Sequence, residues 1–184
     1  MLTGCSATSE SIPIPEIRDQ GSRARTYSSL DDLAQRASAI AVIEPTGSSR
    51  EVPLPPGYGQ PDSAPTVFDV VRVTSVVSGT LGGDTIEIAT PGTDDNTGAS
   101  ALSTGGPYLV FLAPAMYNTN DPIGGYVVVG GPAGLFANAQ RDTQTRFQRV
   151  DTQSPDLPKK LDLNDRAALP TITKTEAELL AEGP

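Results

Sequence analysis

What constrains this chain most is how its apolar residues are parcelled: they come in short, β-branched runs separated by prolines and glycines. Ala39 to Glu44 stops at Pro45 and Thr66 to Ser78 stops at Gly79. Thr85 to Thr90 alternates with Ile86 and Ile88 on one face, and Tyr126 to Val129 meets Gly130-Gly131. Runs of this length read as strands, because branched side chains fill a pleated surface well. With 17 prolines and 18 glycines in 184 residues, there are turns enough to join five to seven of them. Consecutive strands without intervening helices form an antiparallel sheet, and a small sheet hides its edges by curling. The expected fold class is mainly β: a small antiparallel, OB-like, partly open β-barrel with one or two short helices.

Individual segments refine this expectation. Phe68 and Val70 occupy one phase of their run, while Val71, Val73 and Val77 occupy the other. A β-bulge near Val70 and Val71 reconciles them, with Asp69 and Arg72 facing water. Tyr108 to Ala113 and Tyr126 to Val129 are apolar on both phases, so each is central and covered on both faces. The cover is an amphipathic helix over Ser29 to Ala37, with Ser29 as N-cap and Asp31 and Asp32 in its first turn. Residues 46–65, 91–106 and 114–125 read as exposed loops, the first of them rich in proline. A weaker strand is expected over Arg146 to Val150, and a terminal helix after Thr173-Lys174-Thr175-Glu176, which has capping-box spacing. The expected organisation is a tether over 1–27, a barrel over 28–152 and an extended segment with the terminal helix over 153–184.

Charge and composition exclude whole classes of chemistry. A net charge of -9 repels phosphate backbones, so nucleic acid is not an expected partner. The chain has no histidine, which removes Ser-His-Asp and Cys-His catalysis and the commonest metal ligand. Asp31-Asp32 begins a helix and Asp94-Asp95 sits in a polar loop, so neither pair reads as a glycosidase site. Asp94-Asp95-Asn96-Thr97-Gly98 departs from a calcium loop in its glycine and has Gly105 where the bidentate glutamate belongs. No catalytic residue, metal or cofactor is assigned.

The start, Met1-Leu2-Thr3-Gly4-Cys5, resembles the lipobox at which a bacterial signal peptide is cleaved before a lipid-modified cysteine. Met1 reads as a start added where the export segment was removed, and Cys5 as the lipidation site. Ser6 to Thr26, with apolar residues only at Ile12, Ile14 and Ile17, reads as a tether reaching on the order of 25 Å. The expected location is the extracytoplasmic face of the cell membrane, with attachment through acyl chains rather than a span.

The Leu30-Asp31-Asp32-Leu33 start, Val76-Val77-Ser78-Gly79, Gly106-Pro107-Tyr108-Leu109-Val110-Phe111-Leu112 and Val129-Gly130-Gly131-Pro132-Ala133-Gly134-Leu135-Phe136 resemble a broad group of Gram-positive, chiefly actinobacterial, lipoproteins of uncharacterised activity. The resemblance covers roughly residues 28 to 138 and implies fold and compartment, not an activity. More distantly, the order of elements is similar to the OB-like domain of tissue inhibitors of metalloproteinases and netrin modules. In those inhibitors a disulfide-bonded N-terminal cysteine meets the protease zinc, whereas Cys5 has no second cysteine to pair with.

The functional expectation is a non-catalytic binding module of the cell envelope, presenting its loops to a protein or glycan. Tyr58 and Tyr117 are the candidate partner contacts, because loop tyrosines are enriched at such surfaces. The alternatives are a protease-inhibitor-like module or an enzyme of unrecognised type.

Overall fold

The computed structural model describes residues 17–18, 26–55, 65–94, 99–102, 105–138 and 145–184. Cys5, most of the expected tether and Tyr58 lie outside these residues. In chain order the elements are β1 (Ile17–Arg18), α1 (Leu30–Ala34), β2 (Ala39–Val52), β3 (Thr66–Gly79), β4 (Thr85–Ala89), β5 (Thr93–Asp94), β6 (Tyr108–Asn118), β7 (Asp121–Val128), β8 (Leu135–Asn138), β9 (Arg146–Arg149), β10 (Lys160–Asp162) and α2 (Glu176–Glu182). Short 3-10 turns lie at Gly131–Gly134 and Arg166–Ala168. β1 and β5 pair as a separate two-stranded ribbon.

Five strands close a ring in the order β6, β2, β3, β4, β7 and back to β6. Because five is odd, directions cannot alternate all the way round, and one pairing has to be parallel. It is β4 with β7, through Ile88↔Tyr126 and Ala89↔Val127. β6 makes closure possible: Tyr108 to Leu112 lies beside β2, and on its other edge the strand passes from β8 to β7. Beyond β6 the sheet continues through β8, β9 and β10. The mainly β, OB-like, partly open barrel with two short helices is therefore present, antiparallel but for the β4–β7 pairing.

Strands apolar on both phases are explained by a core on each face of the sheet. Inside the ring pack Ile43, Val71, Ile86, Ile88, Val110, Leu112 and Tyr126, with Leu102 from a loop. Outside, Ile40, Val42, Leu109, Phe111 and Phe136 are covered by Leu33, Ala34 and Ala37 around α1, and by Phe147, Leu157 and Leu161. Each such large side chain contributes about 1.5–3 kcal/mol on burial. α1 is started by Ser29, whose hydroxyl accepts from the Asp32 N–H at 3.1 Å. The Asp32 carboxylate in turn accepts from the Ser28 N–H at 3.2 Å and hydroxyl at 2.6 Å.

Five expectations need correction. Pro45 does not end its strand: β2 runs on to Val52, because past residue 43 it has no partner on the β6 side to which a proline would owe an N–H. Thr46 and Gly47 bulge from β2 opposite Val71 and Val70, so the irregularity expected there lies on the partner strand. β3 has its own extra residues at Thr74 and Val77. Asp69 does not face water; it is buried beside Ile88 and finds hydroxyl partners in Thr90 and Ser100. Residues 114–125 are a hairpin rather than a loop, β6 and β7 joined at Thr119-Asn120, where Asn120 adopts φ 58°. The terminal capping box is formed by Thr175 and Glu178, the second of two overlapping matches in that stretch.

Candidate functional site

The ring is filled by its own side chains, so room for a ligand is found outside it. The larger of the two cavities described here, about 500 Å³, lies where β9 and β10 meet the start of α1 and the 3-10 turn at Arg166–Ala168. A volume of this size falls within the roughly 300–1,000 Å³ usual for small-molecule sites.

Arg149 fixes the local backbone. Its guanidinium donates to the carbonyls of Asp151 at 2.8 Å and Leu157 at 2.5 Å, and to that of Ser154. Three carbonyl acceptors on one planar donor close the turn between β9 and β10. Phe147 and Leu161, opposite each other in the register and both buried, line the cleft with the half-buried Leu30 and Pro158. The neighbouring register pairs, Arg146↔Asp162 and Gln148↔Lys160, also line it, together with Asp165. Arg146 Nε lies 3.4 Å from the Asp162 carboxylate, an exposed pair that water screens. A lining that mixes apolar residues with charges of both signs suits a group with apolar and polar parts.

The outer face of β3 and β4 is differently furnished. Arg50 of β2 spans Phe68, its guanidinium 5.3 Å from the ring centroid, and donates to both carboxylate oxygens of Glu87, at 2.8 and 2.5 Å. The hydrogen bond from Arg50 holds the Glu87 carboxyl below the ordinary range, and Glu87 raises the Arg50 guanidinium in return. Arg72 pairs with Glu44 on the same sheet. Charges matched in this way leave little attraction for a polyanion.

Of the candidate contacts, Tyr117 is half-buried near the end of β6, on a strand rather than in a loop. Asp94 lies on β5 and Asp95 falls outside the described residues. The 500 Å³ cleft itself could not be read ahead. Its parts are spread from Leu30 to Ala168, and no motif in the sequence joins them. Asp69 was missed because Thr90 and Ser100 lie far along the chain. Among the described residues no three His, Cys, Asp or Glu side chains gather as metal ligands, and no helix is long and apolar enough to cross a membrane. Comparison with family models, with curated proteins and with solved structures finds no match for the chain.

Proposed function

We propose that this chain is the extracytoplasmic module of a cell-envelope lipoprotein, anchored by acyl chains on Cys5, and that it binds a protein or glycan rather than catalysing a reaction. The observation that carries the binding reading is the cleft of about 500 Å³ outside a filled barrel, lined by Phe147 and Leu161 and by Arg146, Lys160 and Asp162. The lipobox-like Leu2-Thr3-Gly4-Cys5 carries the anchoring reading. Tyr58 and Tyr117 remain candidate secondary contacts.

Two experiments test the two halves. Expressed behind a lipoprotein signal peptide in a Gram-positive host, the chain should incorporate alkyne-palmitate and sediment with membranes, and Cys5→Ser should abolish both. Labelling that survives Cys5→Ser contradicts the anchor. Exchanging the exposed cleft residue Lys160 for Glu, together with Gln148→Glu, should reduce capture of envelope components and leave the melting temperature unchanged. Capture indifferent to both changes contradicts the cleft.

One observation supports a second reading: four ionisable side chains, Arg146, Lys160, Asp162 and Asp165, border the same cleft. Turnover of a chromogenic ester or glycoside panel that is lost in Asp162→Asn would favour an enzyme.

A further inference from the structure

Opposite in chemistry to the charged cleft is a second cavity, of about 270 Å³, between α2 and the β6–β7 hairpin. α2 is fastened over the hairpin at three points. Leu179 is buried, the Asn120 N–H donates to the Leu180 carbonyl at 2.8 Å, and the Tyr126 hydroxyl donates to Glu176 at 2.5 Å. Beneath the helix the sheet side is apolar, with Ala113, Pro114, Met116, Val127 and Val129.

Two charged side chains border this space, Arg36 and Glu182. Glu182 is already engaged, since the Lys174 ammonium donates to both of its carboxylate oxygens at 2.7 and 2.5 Å. Arg36 has no ion pair or side-chain hydrogen bond among the described residues, and it is exposed. The cavity thus combines an apolar wall with one uncommitted cation at its border. A ligand that matches both has an apolar tail to displace water from the wall and an anionic head for the guanidinium. The small volume limits that tail to a single short chain.

We propose that this cavity binds a single-chain amphipathic anion, a medium-length alkyl carboxylate, with its tail between α2 and the β6–β7 wall and its carboxylate on Arg36. The site is independent of the cleft at β9 and β10, and so of the function proposed there.

The chain has two methionines, so a methyl-labelled sample carries both a reporter, Met116, and an internal control, Met1. Titrated with octanoate, the full chain should show a saturable shift of the Met116 methyl and none of Met1. Octylammonium, with the same tail and the opposite head, should bind about tenfold more weakly. Arg36→Glu should erase that preference. Ala113→Leu, which fills the cavity, should weaken both ligands, with the remaining amide spectrum reporting an intact fold. A Met116 methyl unmoved up to the solubility limit of octanoate overturns the proposal, as does equal binding of the two head groups. Phosphatidylglycerol vesicles that shift Met116 where octanoate does not would assign the surface to membrane lipid, and would equally overturn it.

Discussion

Gly125 stands beside the β4–β7 pairing, with φ +74° and with a Cβ position only 2.7 Å from the Glu87 carbonyl of the neighbouring strand. An alanine there meets both a strained backbone and a clash with β4 beside the parallel pairing. Gly125→Ala should therefore cost roughly 1–3 kcal/mol in urea unfolding, and an unchanged midpoint would contradict this placement. The next residue, Tyr126, offers a spectroscopic check. Burial, reinforced by the hydrogen bond to Glu176, pushes its phenol up to about 12, although the Gly82 N–H works in the other direction. The neutral phenol is the form that folding favours, and the unfolded phenol ionises near 10. Its contribution is thus complete below pH 10 and lost as the pH rises through about 12. Absorbance titration should show Tyr126, identified as the phenol missing from Tyr126→Phe, ionising after the ordinary range, and Glu176→Gln should bring it down. Asp69 shows the limit of reading residues singly: polarity alone points a carboxylate outward, and only the fold brings Thr90 and Ser100 to it.

The elements most legible in the sequence are those whose reasons are local. Strands such as Tyr108 to Ala113 announce two covered faces, Ser29 announces a helix start, and β9 falls where the weaker strand is expected. The far half of β2 was illegible because a proline reads as a stop, and only the missing neighbour at that edge makes it tolerable. That half is stapled across β3 by Arg50 and Glu87. Since Arg50 depresses the Glu87 carboxyl, the pair stabilises the fold above the ordinary carboxylate value, and the contribution is lost as the pH falls through the lowered one. Glu87→Gln should flatten the acid side of the stability profile, weakly, because the pair is solvated. A profile identical to that of the unmodified chain contradicts the staple. In α2, Thr173 and Thr175 both offer capping-box spacing, and it is Thr175 that caps the helix, with Glu178 as its partner. Thr175→Ala should cost about 1 kcal/mol. It should speed amide exchange in α2 while leaving β2 and β6 protected.

At the scale of the whole molecule, the odd-stranded ring follows from the number and order of strands, and was legible as a curled sheet. The cleft is not legible, because it joins α1 to a hairpin more than a hundred residues later and then to the turn beyond β10. The division of labour proposed here is that a filled barrel supplies rigidity, and recognition takes place on its outer flank. The most direct measurement is amide chemical-shift mapping of the labelled chain against a fractionated envelope extract. The account predicts shifts gathered at Leu30, Arg146–Arg149, Lys160–Asp162 and Arg166–Ala168, with Ile86, Ile88 and Val110 unmoved. Shifts centred on those interior residues, or an outer flank that stays silent while other surfaces respond, would contradict it.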